Sequence, residues 1–253
     1  MIVTPLASSL LVVTQADHAR FAADLLALFR TPVVARHPRR ALMLRAVAEH
    51  DNGWWESDAA PGIDVAGAPL DFRAVADDAR REIWRRGIER HATAEPGVAA
   101  LVAAHALRLL RSRRGVDDSW ALFLDEVEAR REALAGQAGL SGDEVQELDS
   151  WLELADELAL AAASGDAGFA DRTALRVLAR AADEEAVLEL APFPLAGATR
   201  IALACRRLGR ASFASAPELG AALAAARWER RSVRVLPLGP SVCGAHRGDC
   251  ARF

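Results

Sequence analysis

Apolar residues recur at helical spacing through most of the first 184 residues of this 253-residue chain. This repeat constrains the fold more than any other property of the sequence. Apolar residues three or four positions apart share one face of an α-helix, and that face needs a core to cover it. The repeat predicts helices that begin near Thr14, Arg39, Arg73, Pro96, Trp120 and Ser141.

The pattern changes after residue 184. Short apolar runs predict β-strands at 186–190, 200–204 and 232–236, with a helix at 216–227 before the last of them. The first residues of the chain also predict a strand. We therefore expect a mainly α protein. Its parts are an all-α body over residues 1–184 with an N-terminal strand, a small α+β appendage over 185–240 and a flexible tail over 241–253.

The composition argues against several function classes. A net charge of −4 gives no basic surface that favours nucleic acid. All 31 Lys or Arg positions are arginine, and without lysine the chain has neither a Schiff-base lysine nor a phosphate-binding P-loop. No apolar run reaches the length of a membrane span, and the N-terminus lacks the basic start of a secretory signal. We expect a cytoplasmic protein without a nucleic-acid or membrane partner.

Isolated polar residues on the apolar helical faces are the candidate functional residues. Each one alone has an ordinary explanation: a hydrogen-bonded core histidine, the end of a helix, or a buried carboxylate paired with an arginine. Burying all of them costs free energy unless every one finds a partner. One divalent cation satisfies them together, since imidazole and carboxylate both bind first-row metals. They are His18, the pair His50-Asp51, His105 and Asp156.

These donors predict a divalent transition metal, one or two ions, without selecting among Fe, Mn, Co, Ni and Zn. The segment 54–71, rich in glycine and proline, follows the His-Asp pair and is long enough to form a cavity wall. We expect an open site for a small molecule, although the two tryptophans also suit a core or an interface. The expected lining residues are Gln15, Asn52, Trp54 and Trp55.

Two further groups have weaker support. His91 ends a predicted helix, where a positive charge is favourable in solvent, and a place in the metal site is the alternative. Cys243, His246 and Cys250 lie close together near the C-terminus, where a frayed tail or an adventitious zinc site would explain them.

The order of the polar residues resembles that in the HD-domain superfamily of metal-dependent phosphohydrolases, in which a histidine, a His-Asp pair and a later aspartate bind a metal. Two short motifs look like the signatures of an uncharacterised bacterial family known only as a domain of unknown function. These motifs are Gln15-Ala16-Asp17-His18-Ala19 and His50-Asp51-Asn52-Gly53-Trp54. The Asp71-Phe72 step, residues 99–105, residues 154–156 and Pro192-Phe193-Pro194 extend the likeness.

The resemblance implies an HD-domain-like helical bundle and a hydrolase that uses a metal-activated water on a small phosphoester or nucleotide. It also implies that His105 lies in a second coordination position or bridges to it, with His91 as a ligand of a second metal. The alternative enzyme is a dinuclear iron oxygenase. The alternative outside enzymes is a metal-binding or ligand-sensing module.

No general base is assigned, although Glu49 and Asp17 adjoin the expected ligands. The sequence predicts no oligomeric state. The candidates for contacts to an anionic substrate also suit ordinary solvated helix surfaces, and they are Arg45, Arg80, Arg81 and Arg108.

Overall fold

The part of the chain that the structure describes forms a set of helices and one seven-stranded sheet. The computed structural model describes residues 1–164, 168–172, 175–181 and 184–239. Its helices are α1 (Gln15–Ala27), α2 (Pro32–Ala35), α3 (Arg40–Glu49), α4 (Trp55–Ala59), α5 (Asp77–Ala92), α6 (Pro96–Leu110), α7 (Asp118–Gln137), α8 (Gly142–Ser164) and α9 (Ala216–Ala225). Its strands are β1 (Ile2–Pro5), β2 (Leu10–Val13), β3 (Gly168–Arg172), β4 (Leu175–Ala181), β5 (Glu185–Ala191), β6 (Thr199–Leu208) and β7 (Trp228–Pro237).

The start of the first long helix follows from local chemistry. The Thr14 hydroxyl caps α1 by accepting the Asp17 backbone N–H at 3.1 Å. One face of α1 then buries His18 together with Phe21, Ala22 and Leu25. The predicted capped start of this helix is therefore confirmed, and the imidazole lies on its buried face.

The sheet has the order β1-β2-β6-β7-β5-β4-β3. β5 and β7 run parallel, and the other neighbouring strands are antiparallel. The expectation of a mainly α protein with an all-α body is wrong, because strands from both ends of the chain form this one sheet. β2 pairs with β6, where Leu11 lies opposite Arg207. The fold is α+β.

Strands β3 and β4 fall inside the region expected to be helical. In β4 the buried residues are Leu175, Val177 and Ala179, which alternate along the chain. Such a period of two is typical of a strand with one covered face. The alanine and leucine content of this segment favours helix locally, and pairing with β5 overrides that preference.

Four helices form the centre of the helical layer. α1 packs against α3 and α8, and α6 also packs against α3 and α8. The sheet covers this layer, with α1 against β6 and α8 against β1, β4 and β5. One hydrophobic core includes Phe21 and Leu101 from helices together with Leu188 and Val233 from strands. The domain boundaries expected from the sequence stay a prediction.

The sheet also holds the end of α8. The last carbonyls of a helix lack partners within it. Thr4 in β1 donates its hydroxyl to the carbonyl of Ala163 at 3.0 Å. Arg231 in β7, only 3% exposed, donates to the carbonyl of Ala162 at 3.1 Å. Two strands thus cap the helix that carries Asp156.

Within the described ranges, none of the helices combines the length and the apolar character needed to cross a bilayer. The tail residues Cys243, His246 and Cys250 lie outside the part of the chain that the structure describes.

Candidate metal centre

The four central helices bring the isolated polar residues to one point, which we call the His-Asp cluster. α1 contributes His18, α6 contributes His105 and α8 contributes Asp156, while His50 and Asp51 directly follow α3. All five side chains are buried. Two overlapping sets, His18–His50–Asp51 and His50–His105–Asp156, each have ligand atoms within 4.8 Å of one another. By distance alone, either set could hold a metal ion.

The distances in the cluster fit a common ligand. His18 Nε2 lies 2.8 Å from Asp156 Oδ1 and 4.0 Å from Asp51 Oδ2. His50 Nε2 lies 3.3 Å from Asp51 Oδ2 and 3.4 Å from Asp156 Oδ1. Donors about 2.1 Å from a cation are separated by about 3.0 Å at octahedral and about 3.4 Å at tetrahedral angles. The separations between His50 Nε2 and the two carboxylates match those of neighbouring donors around one cation, and His18 lies next to both carboxylates.

The His50 ring is oriented for ligation. Its Nδ1 lies 2.7 Å from the carbonyl oxygen of Val47, which can only accept, so Nδ1 carries a proton. Its Nε2 is buried and has no hydrogen-bond partner. A second hydrogen bond of this kind commonly fixes the tautomer of a metal-binding histidine. The unpartnered Nε2 of His50 is thus the observation that most directly points to a cation.

The His105 ring has the opposite arrangement. Arg108 donates to His105 Nδ1 at 2.7 Å, and a guanidinium cannot accept. A neutral His105 therefore carries its proton on Nε2, which faces Asp156 Oδ2 at 4.0 Å. Arg108 is itself fixed by Asp149 at 3.0 Å and Glu153 at 3.3 Å. This network presents His105 to the cluster as a hydrogen-bond donor.

Buried charges in the cluster compensate one another. Burial raises the pKa of Asp156, but the hydrogen bond with His18 and the nearby His50 ring hold that pKa well below its usual value. Burial lowers the pKa of His50, but Asp51 and Asp156 raise it well above the usual value. Burial and the nearby His50 charge lower the pKa of His105 to about 3. A protonated His50 balances the charge of one of the two carboxylates, whereas a divalent cation would balance both.

The turn after the His-Asp pair is built for close packing. A Cβ atom on Gly53 would overlap the carbonyl oxygen of Ile83 in α5, and one on Gly87 would lie 3.2 Å from the Gly53 nitrogen. Asn52 donates its side-chain amide to the carbonyls of Glu49 at 2.7 Å and Gly87 at 3.1 Å. The Asn52-Gly53 step therefore holds the end of α3 against α5, which fixes the position of Asp51.

A cavity of about 190 Å³, partly open to solvent, ends at the His-Asp cluster. Asp51, His105 and Asp156 lie at its polar end. The remaining lining residues are Gln15, Trp54, Phe72, Arg80, Trp84, Leu109, Leu110 and Leu160.

Comparison with known proteins places the chain in a family. A family described as "Protein of unknown function (DUF3891)" matches residues 1–209. The chain belongs to this family. The expected membership of a family without an assigned function is thereby confirmed. No significant match was found among curated proteins or among solved structures.

Within this DUF3891 chain, the residues expected to line the site divide into two pairs. Gln15 and Trp54 line the cavity. Asn52 is buried in the turn against α5 and is not a lining residue. Trp55 is 41% exposed, lies under the Arg90 guanidinium and contributes to a separate shallow groove. The sequence could not separate the two tryptophans, because both follow the same turn.

His91 lies apart from the cluster in the described structure. Its Nδ1 is 3.0 Å from Glu95 and its Nε2 is 3.4 Å from Glu49, in a network that also contains Arg45. Glu49 is therefore engaged near the surface, and Asp17 pairs with Thr14 and Arg20. Neither acid lines the cavity.

Sequence reasoning missed several residues of the site. Leu160 lines the cavity and was not named from the sequence, although it lies four positions after Asp156 on α8. Phe72, at the end of the loop expected to form the cavity wall, does line the cavity. Trp84 also lines the cavity, where it packs edge-on against the His105 ring at 5.4 Å between centroids. The His105–Arg108 contact had a local signal, because residues three apart share a helix face.

Proposed function

We propose that this chain is a metal-dependent hydrolase of a small phosphoester, with the metal held by His18, His50, Asp51 and Asp156. The observation that carries the proposal is the position of this buried His-Asp cluster at the inner end of a partly open cavity. A catalytic metal keeps a position for substrate, whereas a structural metal is enclosed by protein ligands. Fe, Mn, Co, Ni and Zn all suit the two imidazoles and two carboxylates.

A bound cation supplies Lewis-acid chemistry, since it lowers the pKa of water and polarises a phosphoryl oxygen. The chain's own residues perform the remaining tasks. Val47 fixes His50 with Nε2 toward the cluster, and the turn at Gly53 fixes Asp51. His105 donates its Nε2–H toward the cavity, where it can stabilise an oxygen that gains negative charge. Arg108 is a positioning residue that acts through His105.

A dinuclear iron oxygenase is the second candidate, because the two possible ligand sets overlap at His50. The hydrogen bond from Arg108 argues against it. A second metal would need the lone pair of His105 Nε2, and that atom carries the proton while Nδ1 accepts from Arg108. The position of His91, which pairs with Glu49 and Glu95, also leaves the second set without a further histidine.

Metal analysis of paired histidine variants tests the proposal. We expect the purified protein to contain a transition metal, His50→Gln to lose most of it, and His91→Gln to retain it. The matched control His91 is also a buried histidine near an acid, but it lies outside the cluster. Loss of metal should coincide with loss of metal-stimulated hydrolysis of para-nitrophenyl phosphate, and Asp51→Asn should behave like His50→Gln.

Each other outcome has a defined meaning. Equal metal content in the two histidine variants would refute the metal centre. Metal binding without phosphatase activity, but with oxygen uptake in the presence of ferrous iron, would favour the oxygenase. Metal binding with neither activity would favour a metal-binding or ligand-sensing module and overturn the hydrolase.

A further inference from the structure

Three polar atoms in the walls of the cavity are buried without a hydrogen-bond partner. They are Gln15 Oε1, Trp54 Nε1 and Arg80 Nε, and all three residues line the cavity that ends at the His-Asp cluster. Leaving a buried polar atom unpaired costs free energy, so such atoms are few in native proteins. Three residues with such atoms in the wall of one cavity are candidates for contacts with a bound molecule.

Arg80 brings a positive charge that no described carboxylate neutralises through a hydrogen bond or ion pair. Its Nη2 donates to three backbone carbonyls, those of Phe72 at 3.2 Å, Arg73 at 3.0 Å and Val75 at 3.3 Å. The nearby acid, Asp77, is occupied by Arg113 at 3.2 Å and by the Trp120 indole at 3.1 Å. The guanidinium of Arg80 is thus positioned by neutral groups, and its charge remains available to an anion.

The rest of the wall is apolar. Trp54 and Phe72 pack edge to face at 6.3 Å between ring centroids, and Trp84 and Leu160 complete this side of the cavity. The volume of about 190 Å³ is close to the roughly 150 Å³ of an apolar cavity that binds benzene. Pockets for larger ligands usually start at about 300 Å³. One ring or a short alkyl group therefore fits beside a single anionic group.

We infer that the cavity binds a phosphomonoester of a small apolar alcohol and excludes nucleotides, with Arg80 contacting the phosphoryl group and Trp54 the apolar part. This inference rests on the proposed hydrolase for the identity of the anion. The inference specifies the alcohol of the substrate as small and apolar. Phosphoryl transfer to water breaks the bond between phosphorus and the ester oxygen. The products are inorganic phosphate and an apolar alcohol, which receives the proton that the water loses.

Binding of a non-hydrolysable probe tests the inference without relying on turnover. Phenylphosphonate carries both features, inorganic phosphate carries the anion alone, and benzyl alcohol carries the apolar part alone. In calorimetric titrations of the metal-loaded protein, we expect phenylphosphonate to bind at least about tenfold more tightly than either fragment. Adenosine monophosphate should not compete with it.

A pair of arginine variants on the same helix separates recognition from structure. Arg80→Met should weaken phenylphosphonate binding by about tenfold to hundredfold, because a charged hydrogen bond is lost, and should leave benzyl alcohol binding unchanged. Arg85→Met is the matched control, since Arg85 lies in α5 but pairs with Glu126 outside the cavity. A purely structural role for Arg80 would weaken both probes together.

A second variant keeps the inference testable if Arg80→Met fails to fold. Leu160→Trp fills the apolar end, so it should weaken phenylphosphonate while inorganic phosphate binds as before. Equal phenylphosphonate binding in the parent and Arg80→Met proteins, or tighter binding of adenosine monophosphate, would overturn the inference but leave the proposed hydrolase standing. If phenylphosphonate binds as expected but the protein hydrolyses no phosphomonoester, the proposed hydrolase is refuted and the inferred binding specificity stands.

Discussion

At the scale of single residues, the contribution of a histidine depends on which ring nitrogen carries the proton. His50 is held with its proton on Nδ1 by the carbonyl of Val47, while Arg108 holds His105 with its proton on Nε2. Two histidines that look alike in the sequence therefore contribute opposite chemistry to the same cluster. His50 can offer a lone pair to a cation, and His105 can donate a proton to an oxygen.

Nitrogen NMR provides a direct check of this difference. In the zinc-loaded protein, long-range proton–nitrogen correlations should report the Nδ1–H form for His50 and the Nε2–H form for His105. Arg108→Met should allow His105 to populate both forms, because the donor to Nδ1 is lost. Arg45→Met, which changes an exposed arginine that pairs with Glu49 and Glu95 rather than with a cluster residue, should leave both rings as they are. Finding His105 protonated on Nδ1 in the parent protein would contradict the role assigned to Arg108.

The cluster residues could be recognised from the sequence because each interrupts an apolar helix face. His18, for example, stands among Phe21, Ala22 and Leu25 on α1, and no local pairing explains a polar group there. The ring tautomers could not be predicted in the same way. They depend on which nearby backbone or side-chain group reaches each nitrogen, and periodicity carries no such information.

At the scale of elements, the contact between the turn at 52–54 and α5 determines where the His-Asp pair lies. Gly53 and Gly87 face each other, and a Cβ on Gly53 would overlap the Ile83 carbonyl, whereas one on Gly87 would make tight contacts with the Gly53 backbone. The glycine after His50-Asp51-Asn52 was interpretable from the sequence as the end of a helix. Its packing role was not, because Gly87 lies on another helix and nothing local connects the two.

Alanine substitutions at two glycines should have opposite effects. Gly53→Ala should lower the free energy of unfolding by about 1–3 kcal/mol, because the added methyl group overlaps the Ile83 carbonyl. Gly136→Ala, in α7 where a Cβ meets nothing within 4 Å, should raise it by about 0.5–1 kcal/mol through helix propensity. Urea denaturation of both variants measures the difference. A neutral Gly53→Ala would show that the turn has room to move away from α5.

At the scale of the whole molecule, the sheet joins the two ends of the chain. β2 pairs with β6, so residues near the N-terminus and residues beyond 199 share backbone hydrogen bonds. The helices were predictable because the spacing of apolar residues that indicates a helix is a local property of the sequence. The sheet was only partly predictable. β5, β6 and β7 showed short apolar runs, and their pairing with an N-terminal strand could be suggested, but the strand order and the choice of β6 as the partner of β2 depend on contacts between distant segments.

This shared core leads to an expectation for unfolding. Trp120 reports on the helical layer and Trp228 on β7. Because one hydrophobic core includes residues from both layers, fluorescence and far-ultraviolet circular dichroism should follow one cooperative transition on heating. Two separated transitions would contradict this, and would favour the boundary near residue 184 that the sequence predicts.

The caps on α8 have a consequence for genetics. Thr4 and Arg231 lie in strands, yet each holds a carbonyl less than two turns beyond Asp156 on the helix that supplies this carboxylate. A mutational screen that scores only biological output would therefore recover positions 4 and 231 beside the cluster residues. Such variants could be mistaken for evidence of a second site on the sheet. Their effect would instead come from a shift of α8, which carries Asp156 in the His-Asp cluster.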